Sequence, residues 1–262
     1  MRATVFRQTV FPNWLKSVCL TMVLAVLAGC ASGPRSDPRD PWEPLNRKIW
    51  TFNEALDDAV FKPVATVYKD VTPALVRKGV TNFFHNLADA WSFVNSVLQL
   101  KPQAAAESLL RFEVNTFLGL GGLLDIASEM NIERHREDFG QTLGRWGIRS
   151  GPYLVLPFLG PSTLRDTAAF TLNSIGDPVV SFSNVPVRNS AYALRVINTR
   201  ARLLGATDML EGAALDRYSF TRDVFLQIRR RDVDGDNGDG NLPIDPPDDP
   251  PADAASKDEA KP

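Results

Sequence analysis

The chain has 262 residues, of which 44% are hydrophobic and 23% are charged, with 29 basic and 31 acidic residues. This composition excludes a collagenous or wholly disordered chain and is compatible with one or two domains. Two cysteines exclude a multi-disulfide scaffold and a zinc site of the CxxC type. The formal net charge of −2 averages over segments that differ strongly, so it has to be resolved along the chain.

The first 29 residues have the pattern of a secretory signal peptide. Arg2, Arg7 and Lys16 precede an uncharged apolar run, and no acidic residue occurs before Cys30. The run is too short for the ~20 apolar residues that span a bilayer, and it ends in Leu-Ala-Gly-Cys, the form of a bacterial lipobox. We expect residues 1–29 to be removed and Cys30 to become the acylated N-terminus. No Asp follows Cys30 as an inner-membrane retention signal, which favours an outer-membrane lipoprotein facing the periplasm.

Residues 232–262 contain ten acidic residues and two lysines, and almost no large apolar residue. Such a segment cannot bury enough surface to offset the entropy of ordering, which predicts a disordered acidic tail. Asp232 to Asp239 resembles the start of an EF-hand calcium loop, but the twelfth position is Pro243 instead of Glu. A solvated spacer is therefore favoured over a calcium site. Without leader and tail, residues 30–231 carry a net charge of +3.

The remaining chain is divided into a lipidated linker, residues 30–40, and a helical domain, residues 41–231. The apolar spacing within this domain is helical, which predicts an all-α fold with little or no β-structure. The predicted helices lie near residues 42–56, 80–98, 102–118, 191–204 and 217–231. The apolar stripe of the second consists of Val80, Phe84, Leu87, Trp91, Val94 and Leu98. The one strand candidate is Tyr153 to Phe158, and Ser162 is a candidate N-cap for a helix starting near Thr163.

The apolar faces of these helices are wider than packing on one side requires. The longest uncharged stretch of the mature chain, residues 150–164, is 15 residues long and contains three prolines, so it cannot span a bilayer as a helix. Broad apolar faces on short helices suggest helices that lie in a membrane interface. A compact helical core in water explains the periodicity equally well, and the lipid anchor favours the interface.

Catalytic patterns are scarce in this sequence. His85 lies beside an apolar stripe and His135 in a charged stretch best explained as a solvated turn or cap, so neither predicts a metal site. No GxSxG elbow and no P-loop spacing are present. We therefore expect no enzymatic activity, no metal and no cofactor. Binding is better supported, because Arg188, Arg195 and Arg202 recur at intervals of seven and form a basic stripe suited to lipid headgroups. The alternative is an ordinary solvated face.

Five motifs occur in order between residues 38 and 231. They are Asp40-Pro-Trp-Glu-Pro-Leu-Asn46-Arg, Phe52-Asn53, Arg111 to Ala127 with its Gly119-Leu-Gly-Gly122 turn, Asp138 to Gly147, and Gly151 to Asp166. In these motifs the chain resembles the MlaA/VacJ family of phospholipid-transport lipoproteins. The resemblance implies a non-enzymatic ring of helices in the inner leaflet of the outer membrane, around an amphipathic central channel.

The resemblance also implies a function and partners. Phospholipids that have strayed into the outer leaflet would pass through the channel to a soluble periplasmic phospholipid carrier, which maintains lipid asymmetry. A trimeric outer-membrane porin would be a further partner, and nucleic acid would not. A structural lipoprotein that braces a porin without transporting lipid is the alternative.

Carried over residue by residue, the resemblance makes Cys30 the lipidation site. The asparagines would satisfy main-chain groups where water is scarce, and the glycines after the third helix would permit a tight bend. The Gly151 to Pro161 segment would gate the channel. Its side chains that would face lipid tails are Tyr153, Leu154, Val155, Leu156 and Phe158. The candidate channel or gating residues are Asn46, Asn53, Asn115, Gly119, Gly121, Gly122, Asp125, Gly151, Tyr153, Leu156, Pro157 and Phe158.

Overall fold

The computed structural model describes residues 37–213 and 215–234, and the side chains of residues 208–213 are excluded from that description. The predicted signal peptide, the lipidation site Cys30 and the acidic chain beyond Asp234 lie outside the described residues.

Helices make up most of the described chain, and the predicted all-α fold class is confirmed. The helices are α1 (Glu43–Leu56), α2 (Lys62–Val71), α3 (Ala74–Leu98), α4 (Pro102–Phe117), α5 (Ile126–Glu129), α6 (Phe139–Arg145), α7 (Leu164–Gly176), α8 (Val185–Ala213) and α9 (Arg217–Asp234). A π-helical turn, Asp57–Phe61, joins α1 to α2, and a 3₁₀ turn, Pro178–Ser181, precedes α8. The folded body exceeds residues 41–231 at both ends, because Asp40 is buried and α9 continues to Asp234.

The helices begin at residues whose chemistry suits a helix N-terminus. Pro102 opens α4, where its missing N–H would have had no partner. Asp138 and Gln141 form a reciprocal capping box on α6. The N-cap of α7 is Thr163, whose hydroxyl accepts a hydrogen bond from the Asp166 amide at 3.2 Å. The prediction that Ser162 caps this helix is therefore wrong by one residue.

Among the described residues, one antiparallel hairpin interrupts the helices, and Ser162 lies in its second strand. Strand β1 (Tyr153–Leu156) pairs with strand β2 (Gly160–Thr163), so that Tyr153 faces Thr163 and Leu156 faces Gly160. The sequence predicts β1 but not β2, because Gly-Pro-Ser-Thr has neither apolar alternation nor β-propensity. Thr163 ends β2 and caps α7, so the second strand and the next helix share a junction.

The elements pack as a series of pairs. The turn from Gln99 to Lys101 folds α4 back against α3, α2 packs against α8, and α6 lies between α7 and α9. The hydrophobic clusters formed by described residues are small. One combines Ala65 of α2 with Ala201 and Leu204 of α8. The other joins the hairpin to α1 and α9 through Tyr153, Val155 and Tyr218.

The distribution of side chains is inverted relative to a protein folded in water. Among the described residues, eighteen polar or charged residues are buried against thirteen hydrophobic ones, and thirty-six large hydrophobic residues are exposed. Soluble monomers rarely expose apolar surface on this scale, and they bury polar side chains much less often than apolar ones. The described part of the fold therefore buries many polar side chains and exposes many large apolar ones.

Helix α3 shows the inversion most clearly. Its buried positions carry Phe84, Asn86, Asp89, Ser92, Asn95 and Ser96, and Gln99 follows at its end. The apolar stripe is only partly buried: Phe84 is buried and Val94 and Leu98 are exposed, whereas the other members, Val80, Leu87 and Trp91, are half-buried. Since both patterns have helical periodicity, spacing alone does not distinguish which face is turned inward. Among the described residues, no helix is both long and apolar enough to cross a membrane.

Candidate functional site

The hairpin is attached to helix α1 by two asparagines. Asn46 donates to the Tyr153 carbonyl at 3.1 Å and accepts from the Val155 amide at 2.9 Å. Asn53 donates to the Leu156 carbonyl and accepts from the Phe158 amide, both at 2.9 Å. The two side chains share one helix face because seven residues are close to two helical turns. They bond three main-chain groups of β1 and the Phe158 amide in the connection that follows it.

A buried polar cluster lies at the base of the hairpin. Asp40 accepts hydrogen bonds from Asn46 at 2.8 Å and from the Tyr218 hydroxyl, and Arg222 lies 3.5 Å from it. Burial raises the pKa of Tyr218, and the hydrogen bond to Asp40 adds to the shift, so the hydroxyl remains protonated as the donor. The N-terminal end of the domain, the hairpin and α9 therefore meet at one carboxylate.

The hairpin tip is apolar and exposed, whereas its first strand is buried. Phe158 and Leu159 at the tip are 67% and 57% exposed, and Phe158 packs edge-on against Phe52 of α1. Tyr153 and Val155 are buried against α9, so the expectation that they face lipid tails is wrong. Alternation along the strand turns one residue in two toward the domain, and these two are the inward ones.

The remaining candidates in this segment surround the hairpin. Gly151 is exposed just before β1 with a φ of +68°, Leu156 ends β1 half-buried, and Pro157 is the exposed first residue of the connection. The hairpin thus has a buried base and an exposed apolar tip. The tip is the three-residue connection that joins the two strands between Leu156 and Gly160.

The bend expected after α4 is present. Gly121 and Gly122 have φ angles of +73° and +91°, a conformation that favours glycine. A Cβ on Gly122 would lie 2.7 Å from Nδ2 of Asn86, so this glycine also permits close contact with α3. At Gly119 a Cβ would lie 2.3 Å from the Leu124 carbonyl oxygen. Leu120 is exposed between them, so the bend also presents apolar surface.

Asp125 follows this bend and collects ion pairs and hydrogen bonds. Arg111 lies 2.7 Å from its carboxylate, Asn115 donates to it at 3.0 Å, and Ser128 donates its hydroxyl at 2.7 Å. Asn115 in turn accepts from the Ala127 amide at 2.9 Å. Burial would raise the pKa of Asp125, but the hydrogen bond from Ser128 and the neighbouring arginines outweigh burial and lower it. Asp125 is therefore held as a carboxylate.

A second carboxylate, Asp89 of α3, lies deeper in the same cluster. Arg111 and Arg134 lie 3.4 Å and 3.3 Å from it. Burial raises the pKa of Asp89 although both guanidinium groups favour its ionised form. These ion pairs join the Nε atoms of the two arginines to the carboxylate without hydrogen-bond geometry, and Asn86 Oδ1 has no hydrogen-bond partner among the described residues. The interior next to α3 therefore retains unused polar capacity.

The predicted basic stripe on α8 is turned toward α3 rather than outward. Arg195 pairs with Asp177 at 2.6 Å and lies over the Phe84 ring, and Arg202 lies 3.5 Å from Nε2 of His85. Arg188 is half-buried near the start of α8. A solvated face is thus wrong for Arg195 and Arg202, because α8 packs on α3 through the positions that carry them.

His135 is likewise more enclosed than the predicted solvated turn. It is about one-fifth exposed and pairs with Glu107 of α4, and Glu133 lies beside them. Glu107 is 28 residues from His135, and only the fold brings α4 to the segment that carries His135, so spacing along the sequence does not indicate this group.

These features together define a helical protein with a polar interior, an apolar exterior and a hairpin fastened at its base. The family model of the MlaA lipoprotein matches residues 38–232. The chain belongs to the MlaA lipoprotein family.

Named relatives support the assignment. The intermembrane phospholipid transport system lipoproteins MlaA of Shigella flexneri and of Escherichia coli K12 are each 35% identical over 219 residues, which is 81% of this chain and 86% of theirs. An uncharacterized protein of Rickettsia bellii is 35% identical over 74% of this chain and 76% of its own.

A solved structure agrees with the fold. It is described as the structural basis for maintenance of bacterial outer membrane lipid asymmetry, and it matches with a TM-score of 0.66 at 33% identity. The match covers 76% of this chain and the whole of the solved chain.

Proposed function

We propose that this protein is a non-enzymatic outer-membrane lipoprotein that removes mislocalised phospholipids from the outer leaflet. In this proposal the lipids pass through an amphipathic channel to a soluble periplasmic carrier. The chain is anchored by acylated Cys30 and its helical domain lies in the inner leaflet. The names of the Shigella and Escherichia relatives and the description of the solved structure support a role in phospholipid transport and lipid asymmetry.

The inverted distribution of side chains carries the proposal. Thirty-six exposed large hydrophobic residues among those described suit a surface that acyl chains cover. The polar stripe of α3 and the cluster around Asp89 and Asp125 suit a headgroup, which needs polar contacts inside an apolar surrounding. A ring of helices would bring both surfaces to one passage, with tails along the apolar side and headgroups along the polar one.

The hairpin supports a gate in this proposal. Its tip exposes Phe158 and Leu159, Asn46 holds the first strand, and Asn53 bonds the Leu156 carbonyl and the Phe158 amide. Few contacts hold the tip, so it can move without unfolding the domain. In the proposal, acyl chains enter beside this apolar tip.

The test is complementation of a strain that lacks its own copy of the protein. We expect Phe158→Asp to be made and acylated normally and to co-purify with a trimeric porin, yet to leave phospholipid exposed on the cell surface. Phe158→Leu is the matched control and restores asymmetry, because it keeps an apolar tip. Surface-accessible phospholipid is measured in both strains.

Three outcomes would contradict the proposal. Full restoration of lipid asymmetry by Phe158→Asp would show that the hairpin tip is not part of the lipid passage. Variants that lose the porin while surface phospholipid stays at the wild-type level would favour a lipoprotein that only braces a porin. Release of fatty acid from phospholipid by the purified protein would indicate an enzyme.

A further inference from the structure

We infer that Glu107, Glu133 and His135 form a binding site for a divalent transition-metal ion such as zinc. One potential ligand atom from each residue lies within 4.8 Å of the others, close enough for a single ion to contact all three. The inference concerns a surface of the domain apart from the hairpin and does not depend on the proposed transport function.

The fold positions the three side chains from two elements. Glu107 lies on α4, and Glu133 and His135 lie in the segment between α5 and α6. Arg134, between them, instead contacts Asp89 at 3.3 Å and Asp125 at 3.4 Å. Arg134 is thus directed at the interior, whereas ligand atoms of its two neighbours, Glu133 and His135, lie within 4.8 Å of one another and of Glu107 on α4.

The site already has one ligand fixed in orientation. Gln103, one helical turn before Glu107, donates to Oε1 of that carboxylate at 3.0 Å. The other oxygen, Oε2, is the one that contacts Nε2 of His135. A hydrogen bond that orients a carboxylate in this way is a regular feature of protein metal sites. The ligand oxygen is therefore directed at the imidazole before an ion arrives.

The donor set selects the class of ion. Imidazole nitrogen favours zinc and its neighbours over magnesium and calcium, which prefer oxygen ligands throughout. Three protein ligands with a remaining position for water match a common arrangement for zinc. Glu133 is exposed and the other two are half-buried, so an ion reaches the site from solvent. Once bound, the ion joins the 131–138 segment to α4.

The test is zinc titration of the full-length acylated protein in detergent, after cleavage of any affinity tag and removal of metal by a chelator. We expect one Zn²⁺ ion to bind with micromolar affinity or better. His135→Gln and Glu133→Gln should each weaken this binding at least tenfold. Glu113→Gln is the matched control, because Glu113 is exposed on the same helix but outside the group, and it should leave zinc binding unchanged.

Circular dichroism of each variant shows whether it is folded. If His135→Gln does not fold, Glu133→Gln provides the test, because Glu133 is exposed. The acidic residues beyond Asp234 are common to all variants, so differences between variants report only the proposed site. Hydrogen exchange should slow in residues 131–138 when zinc is added to the wild type. Equal zinc affinity in wild type and Glu133→Gln, or no zinc uptake by the wild type at tens of micromolar, would overturn the inference.

Discussion

The amide side chains of Asn46 and Asn53 make hydrogen bonds to the hairpin that a neighbouring strand would otherwise make. An edge strand leaves main-chain groups without partners, which is costly where water is scarce. Toward the hairpin each asparagine uses one donor and one acceptor, the pair that a neighbouring strand would have offered. Asn115 has a similar role at α5, where its side-chain oxygen accepts a hydrogen bond from the Ala127 amide. These side chains hold irregular segments against helices without requiring a larger sheet.

Replacing Asn53 by Ala removes both hydrogen bonds between α1 and the end of the hairpin. We expect the folded state to lose about 1–3 kcal/mol, since a net hydrogen bond contributes roughly 0.5–1.5 kcal/mol and main-chain groups lose a partner. Hydrogen exchange should accelerate at residues 153–158. Thr51→Ala is the control, because the Thr51 hydroxyl bonds only within its own helix, to the Arg47 carbonyl. Unchanged exchange in the hairpin of Asn53→Ala would show that the asparagine does not hold it.

Arg229 joins separate helices through ion pairs, as the asparagines join separate segments through hydrogen bonds. It lies 2.7 Å from Asp138 and 2.8 Å from Asp166, and so joins α9 to the starts of α6 and α7. Burial alone would raise the pKa of Asp166, but Arg229, together with Arg165 and the Thr163 hydroxyl, outweighs burial and lowers it. A lowered pKa means that the unfolded chain binds the proton more tightly. The stabilisation is thus present at neutral pH and is lost as the pH falls below about 4.

Arg229→Met should cost about 3–5 kcal/mol at neutral pH, because it removes the buried cation that pairs with Asp138 and leaves Asp166 paired with Arg165 at 3.1 Å. Without the Arg229 guanidinium the pKa of Asp166 should rise, so the variant should lose less stability than the wild type as the pH falls from 6 to 4. Chemical unfolding in detergent across this range measures both effects. Arg230→Met controls for the loss of one positive charge from the same helix. Parallel pH profiles for wild type and Arg229→Met would contradict the assignment.

At the scale of elements, helix α3 is built with its polar side inward. Asn95 donates to the Trp91 carbonyl and accepts from the Thr142 hydroxyl of α6, both at 2.9 Å. Gln99 continues the stripe and reaches Thr142 and Glu137. Hydrogen bonds of this kind are directional, so they fix the rotation of α3 against its neighbours more narrowly than apolar contacts would.

An apolar residue on the buried side of α3 should therefore destabilise the fold, contrary to the usual rule for a helix core. Asn95→Leu leaves the Thr142 hydroxyl and the Trp91 carbonyl short of a partner and adds volume to a closed interior. We expect a loss of about 2–4 kcal/mol in thermal unfolding in detergent. Val97→Leu, on the exposed side, should change stability by less than about 0.5 kcal/mol. A stabilised Asn95→Leu would show that the polar stripe is not structurally required.

At the scale of the whole molecule, the exposed apolar residues form the surface that meets the surroundings. They occur on every large helix and concentrate at helix ends and bends. Leu75 at the start of α3 is 77% exposed and Phe117 at the end of α4 is 82% exposed. Burying one such side chain in a lipid or detergent phase gains roughly 1.5–3 kcal/mol. The domain should thus associate with membranes independently of its anchor.

Cys30→Ala tests this expectation. The variant cannot be acylated at residue 30, yet we expect it to bind lipid vesicles and to carry a detergent belt in size-exclusion light scattering. Adding Leu75→Lys and Phe117→Lys should reduce vesicle binding at least tenfold, because two charges enter the apolar surface. Leu75→Val with Phe117→Leu is the control. A Cys30→Ala protein that stays monodisperse without detergent and does not bind vesicles would contradict the prediction that the domain associates with membranes without its anchor.

The sequence by itself determined the helical class, the start of α4 at Pro102 and strand β1. These depend on local physics: periodicity, a missing N–H and β-propensity. The bend at Gly121 and Gly122 was implied by the family resemblance. The order and spacing of the motifs further carried the family resemblance, which the family model and relatives bear out. The predicted channel, gate and headgroup roles stay predictions.

Only the tertiary structure decided which side of each helix faces inward. Polar and apolar stripes share one period, so α3 could equally have buried Val94 or Asn95, and the choice depends on neighbours such as Thr142. The inward turn of Arg195, the burial of Tyr153 and the meeting of Glu107 with His135 have the same cause. Each depends on contacts between segments far apart in the chain, which spacing along the sequence does not encode.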